Sequence, residues 1–94
     1  MDPKISFEEK TKNGFYQNKL PYASRKENKE VNIAYQNEST RLHELFKKDL
    51  FEEYDMTNHP KAAKCFTLAW DLGHAYGLSE VANYFGELVE IVKD

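Results

Sequence analysis

Apolar and polar positions along the chain follow two regimes, a helical one from about residue 30 onward and an irregular one before it. Between Glu30 and Tyr54, Ala34, Tyr35, Leu42, Leu45, Phe46, Leu50 and Tyr54 recur at spacings of three and four, with Glu38 and Asp49 in the same series. That period marks one face of an α-helix. Arg41, Glu44, Lys47, Lys48, Glu52 and Glu53 fall largely on the other face, and Glu44 to Lys48 is a favourable i,i+4 pair. No glycine or proline interrupts the run. At 1.5 Å per residue it predicts a surface helix of about 37 Å.

Asp55 to His59 reads as a connection, in which Asn58 or His59 can cap and Pro60 occupies a first helical turn, where its missing N–H costs nothing. Ala62, Ala63, Phe66, Leu68, Ala69, Trp70 and Leu72 then form a strongly apolar helix. Gly73 and Gly77 leave two readings open: a stop at Gly77 with a new helix from Ser79, or one helix through to Val92. The continuous helix is favoured by two features. Ala69, Gly73 and Gly77 make a smooth stripe for close helix packing, and the apolar phase carries on through Val81, Tyr84, Phe85, Leu88, Ile91 and Val92.

The first thirty residues are polar and lack helical periodicity. Asn13-Gly14 is a strong signal for a type I′ hairpin, since that turn needs positive φ at both central positions. Folding about it sets Ile5 opposite Tyr22, Phe7 opposite Leu20 and Glu8 opposite Lys19. The predicted fold is thus mainly α: an antiparallel two-helix hairpin over residues 30–94, its second helix open to a break at Gly77, with an N-terminal arm or short β-hairpin over residues 1–29.

Thirteen aromatic residues in 94 are more than two helices can cover. Trp70, Tyr76, Tyr84 and Phe85 therefore point to a homo-oligomer, unless the arm folds back with Phe7, Phe15, Tyr16 and Tyr22 to cover them. Charge refines this picture. The net charge is -3, but residues 1–30 carry +2 while residues 31–60 carry -3 and residues 61–94 carry -2. A mildly basic arm on an acidic body suits docking between the two, and it argues against nucleic acid as a partner. Tyr16, Tyr22, Arg25 and Lys26 are the arm's candidate stacking and cationic contacts. The chain has no apolar run of membrane-spanning length and its N-terminus lacks the apolar core of a secretory signal, so a cytoplasmic protein is expected.

Candidate chemistry is sparse. Cys65, the only cysteine, lies among small apolar residues and reads as a core thiol. Asp71 and His74 at i,i+3 read as a polar pair at the centre of the Ala69, Trp70, Gly73, His74, Gly77 and Tyr84 packing seam. With Glu80 they offer a thin case for a metal-dependent hydrolase, short of the paired sets that helical metal sites use. Arg41, His43, Tyr16, Tyr22 and His74 offer a ligand pocket of nucleotide type between protomers. No phosphate loop, nucleophile elbow or His-Glu-x-x-His pattern occurs, and no cofactor is expected.

His59-Pro60-Lys61-Ala62, Leu68-Ala69-Trp70, Gly73-His74, Gly77, Glu80-Val81, Phe85 and Leu88-Val89, with Asn18 to Tyr22 and Arg41 to Lys47 upstream, resemble a family of uncharacterised small proteins of tailed bacteriophages. The resemblance spans about residues 16 to 92 and sets the first fifteen apart as an addition. It implies host-cell cytoplasm and a non-enzymatic accessory protein that binds a host or anti-phage defence protein.

Overall fold

The computed structural model describes residues 5–20 and 29–93. Four helices follow in order: α1 (Phe7–Lys12), α2 (Lys29–Glu53), α3 (Ala62–Gly73) and α4 (Leu78–Val92). Among the described residues there is no strand.

The hairpin predicted about Asn13-Gly14 is replaced by α1. Ser6 and Glu9 have the spacing of a helix N-terminal capping box. The Ser6 hydroxyl accepts the Glu9 N–H at 3.1 Å, and Lys12 reaches back to Glu8 at 2.9 Å. Asn13 and Gly14 end this helix instead of linking strands: Gly14 has φ +73°, and Phe15 N–H bonds Lys10 O at 3.1 Å. A positive-φ glycine serves a helix stop as well as a turn between strands. Phe7 and Tyr16 then lie on Phe46 of α2, with ring centroids 5.8 and 5.3 Å away.

α2 matches its predicted span and buries Leu42, Phe46 and Leu50 at i,i+4 spacing. It stops in a Schellman turn. Met56 N–H bonds Phe51 O at 2.7 Å, Asp55 N–H bonds Glu52 O at 3.2 Å, and Asp55 takes φ +57°. The turn drops Met56 into the core, where it is fully buried. In the turn before α3, whose N-cap position is Lys61 and not the predicted Asn58 or His59, His59 Nδ1 accepts the Lys61 N–H at 3.1 Å.

The predicted continuous second helix is two helices. The chain leaves α3 at His74 and re-enters a helix at Leu78, with Gly77 at φ +117° and ψ 168°. Only glycine adopts that region readily. Reversal lets the apolar faces of α3 and α4 bury each other, which one helix of 33 residues, about 50 Å long, leaves undone. Of the small-residue stripe, Ala69 and Gly73 face α4 within the same chain. A Cβ on Gly73 would meet Val81 N at 2.8 Å, so the two backbones touch there. Gly77 has nothing within 4 Å of its Cβ position and serves the turn, not the packing. Ala69, Val81, Phe85, Phe46, Leu50 and Met56 form the fully buried centre.

Candidate functional site

α2 lies along one side of the α3–α4 hairpin. Phe66 and Trp70 of α3 meet His43 of α2, and Phe85 of α4 stacks on Phe51 at 5.6 Å. Gly86 of α4 makes room for Tyr54, whose hydroxyl a Cβ would meet at 2.9 Å and whose ring it would meet at 3.0 Å. At 100° per residue, Leu68 and Leu72 of α3 then turn to the opposite side, together with Tyr84, Leu88 and Ile91 of α4. Leu68, Leu72 and Ile91 are 52, 50 and 73% exposed, and Tyr84 and Leu88 are half-buried. This side is a two-helix apolar face with no covering element among the described residues. The arm does fold back, onto α2 through Phe7 and Tyr16 and onto the start of α4 through α1, where Ser79 Oγ donates to Thr11 Oγ1 at 3.2 Å, and so leaves Tyr84 and its neighbours open.

The polar rim of that face is asymmetric. Lys61 and Lys64 flank it on α3, and Glu80 and Glu87 flank it on α4. None of the four forms an ion pair among the described residues.

A second feature lies on the α2 side, a cleft of about 280 Å³ lined by Tyr16, Asn18, Ser39, Leu42, His43, Phe46, Trp70 and Leu78. The His43 ring meets Trp70 edge-on at 4.8 Å. Asn18 Nδ2 donates to Ser39 Oγ at 2.8 Å and to Tyr35 O at 2.7 Å, so Ser39 keeps its own hydroxyl proton for another acceptor. Tyr16 donates to Asp49 Oδ2 at 2.7 Å. Burial and that carboxylate push its phenol well above the ordinary tyrosine range, so Tyr16 is neutral at any physiological pH.

The structure brings Tyr16, His43 and Trp70 together, with His74 stacked on Trp70, and leaves Arg41 and Asp71 outside the cleft. Arg41 is exposed and bound to Glu38, with Nη2 to Oε2 at 3.1 Å. His74 stacks on Trp70 at 5.6 Å and its Nδ1 lies 2.7 Å from Trp70 O. It therefore does not pair with Asp71, whose carboxylate is exposed. The i,i+3 spacing that suggested a pair puts His74 past the last turn of α3, where the nearer partner is the backbone carbonyl four residues back. Tyr22 and Arg25 lie outside the described residues. Among the described residues no group of His, Cys, Asp or Glu is placed to hold a metal ion, and Asp71, His74 and Glu80 do not form one. Cys65 is buried, and burial raises its thiol pKa. Sequence reasoning missed Asn18 and Ser39. Their signal was an asparagine just past a helix stop, a residue type that bonds neighbouring backbone.

No helix among the described residues is long and apolar enough to cross a membrane. No curated protein and no solved structure matches the chain. A family described as a family of unknown function (DUF8546) matches residues 4–93, which takes in α1 and the segment that the sequence sets apart as an addition. The chain belongs to that family.

Proposed function

We propose that this protein is a non-enzymatic accessory protein that works by binding another protein through the α3–α4 face. One observation carries the reading. A chain of 94 residues leaves Leu68, Leu72 and Ile91 half or more exposed beside Tyr84 and Leu88, on the two helices that hold most of its core. Contiguous exposed apolar surface on a small domain marks an interaction site. On the resemblance to small phage proteins, the partner is a host or defence protein in the bacterial cytoplasm. The test is affinity capture from infected bacterial cells with wild type and Leu72→Glu in parallel. A stoichiometric partner held by wild type and lost by the folded variant supports the reading. No partner, or one held equally by both, overturns it.

The cleft favours a second reading, a small heteroaromatic ligand bound within one chain. Tyr16, Phe46 and Trp70 supply ring faces and edges, while Ser39 and His43 supply hydrogen bonds, and the volume of about 280 Å³ suits a single flat ring system. Among the described residues no lysine or arginine lines it, so a nucleobase fits it better than a phosphate does. A thermal-shift panel of nucleobases, nucleosides and nucleotides tests it. A ligand at 100 times its dissociation constant adds about 2.7 kcal/mol, a rise of roughly 10–20 °C for a domain of this size. The shift is expected to vanish in His43→Ala, and a flat panel sinks the reading.

A further inference from the structure

Resting on the protein-binding reading of the α3–α4 face, we infer that a second copy of this chain holds the face until that partner displaces it, paired so that α3 of each protomer lies over α4 of the other. The geometry of the rim selects this partner. Lys61 and Lys64 border the face along α3, and Glu80 and Glu87 border it along α4. A two-fold axis running along the helices, between the two faces, places α3 over the other copy's α4 and brings the lysine edge of each to the glutamate edge of the other. An axis across the helices instead stacks α3 on α3 and α4 on α4, which sets like edges together. Charge therefore picks one of the two symmetric arrangements.

The apolar positions agree with that choice. Gly73 lies at the level of Val81, and the helices are antiparallel, so Leu68 lies level with the stretch between Tyr84 and Leu88. In the paired arrangement Leu68 of each copy fits between Tyr84 and Leu88 of the other, and Leu72 meets the Tyr84 ring. Lys64 comes within reach of Glu87 across the interface, one such pair at each edge. The product is a four-helix layer of two α3–α4 hairpins, with α2 on both outer sides. Each face then gains the cover that its own chain does not supply, and Lys64 and Glu87, without ion-pair partners in the monomer, gain them. The pairing leaves the Tyr16, His43 and Trp70 cleft on the far side, open in both protomers.

Sedimentation equilibrium on the full chain tests the inference, with circular dichroism to confirm folding. Wild type is expected at twice the 11.0 kDa chain mass at micromolar concentration. Leu68→Glu, at a half-exposed site, is expected to stay helical and run as a monomer. Lys64→Glu and Glu87→Lys are each expected to weaken the dimer about tenfold, because symmetry counts each exposed pair twice, and the double swap to restore it. A wild-type monomer at 100 times that concentration overturns the pairing, as does a dimer indifferent to Leu68→Glu or a double swap no tighter than the singles. A monomer that still loses a different captured protein on Leu72→Glu sinks the self-pairing and leaves the protein-binding reading standing.

Discussion

Tyr16 joins the N-terminal segment to the body with both parts of its side chain. Its ring lies among Phe7, Phe15 and Phe46, and its hydroxyl donates to Asp49 at 2.7 Å. Burial first, and the Asp49 carboxylate second, hold the phenol above its ordinary range in the folded chain. A raised folded pKa contributes stability that is fully present below the unfolded value near 10 and is lost as pH rises above it. The unfolded chain then releases a proton that the folded chain retains. Wild type is expected to lose stability more steeply than Tyr16→Phe above about pH 10, measured by urea unfolding at a series of pH values. Equal slopes would show that Tyr16 does not keep its proton in the fold. This anchor was half legible in the sequence: Tyr16 stood out as an aromatic of the arm, while its partner Asp49 sits 33 residues away and became its acceptor only through folding.

At the scale of elements, two glycines four residues apart in one motif do different work. Gly73 permits backbone contact between α3 and α4, and Gly77 supplies a positive φ between them. Gly73→Leu drives a side chain into the Val81 backbone, so the helices must separate. A loss above about 3 kcal/mol is expected, comparable to severe overpacking. Gly77→Ala meets open space and carries only the conformational term, about 1–3 kcal/mol. Chemical denaturation of both variants checks the order. If Gly77→Ala costs as much as Gly73→Leu, the assignment of a packing role to one and a turning role to the other is wrong. The break was hard to read because Tyr84, Leu88 and Ile91, which the fold leaves on the open face, continue the Phe66 and Trp70 stripe across it, while the buried set of α4, Val81, Phe85 and Val89, lies on another side. The stop of α2 was read at its place, before the Asp55 to His59 connection, although Asp55 holds the left-handed position that glycine or asparagine usually signals. In α1 the signal was present, in Ser6 and Glu9, and lost to the stronger hairpin habit of Asn13-Gly14.

Across the whole molecule, one side of the α3–α4 hairpin receives α2, with α1 set against both α2 and the start of α4, and the other receives nothing among the described residues. A thin core built from one side explains how aromatic residues so numerous coexist with an exposed face. It also explains why the apolar excess counted along the sequence did not disclose where the face lies. Leu68 and Leu72 belong to the same apolar run as Phe66 and Ala69, and only the placement of α2 separates inner positions from outer ones.

The sequence by itself determined the helical class, the span of α2 and that Gly73 serves close packing, because residue period and residue type are local properties. The tertiary structure decided the rest: that α3 and α4 fold back on each other, that Tyr16, His43 and Trp70 share a cleft while Arg41 and Asp71 stay apart from it, and that Leu68, Leu72, Tyr84, Leu88 and Ile91 form one face. These depend on which apolar surfaces meet. That choice is made by burial summed over contacts between distant segments, a quantity no stretch of the chain carries on its own.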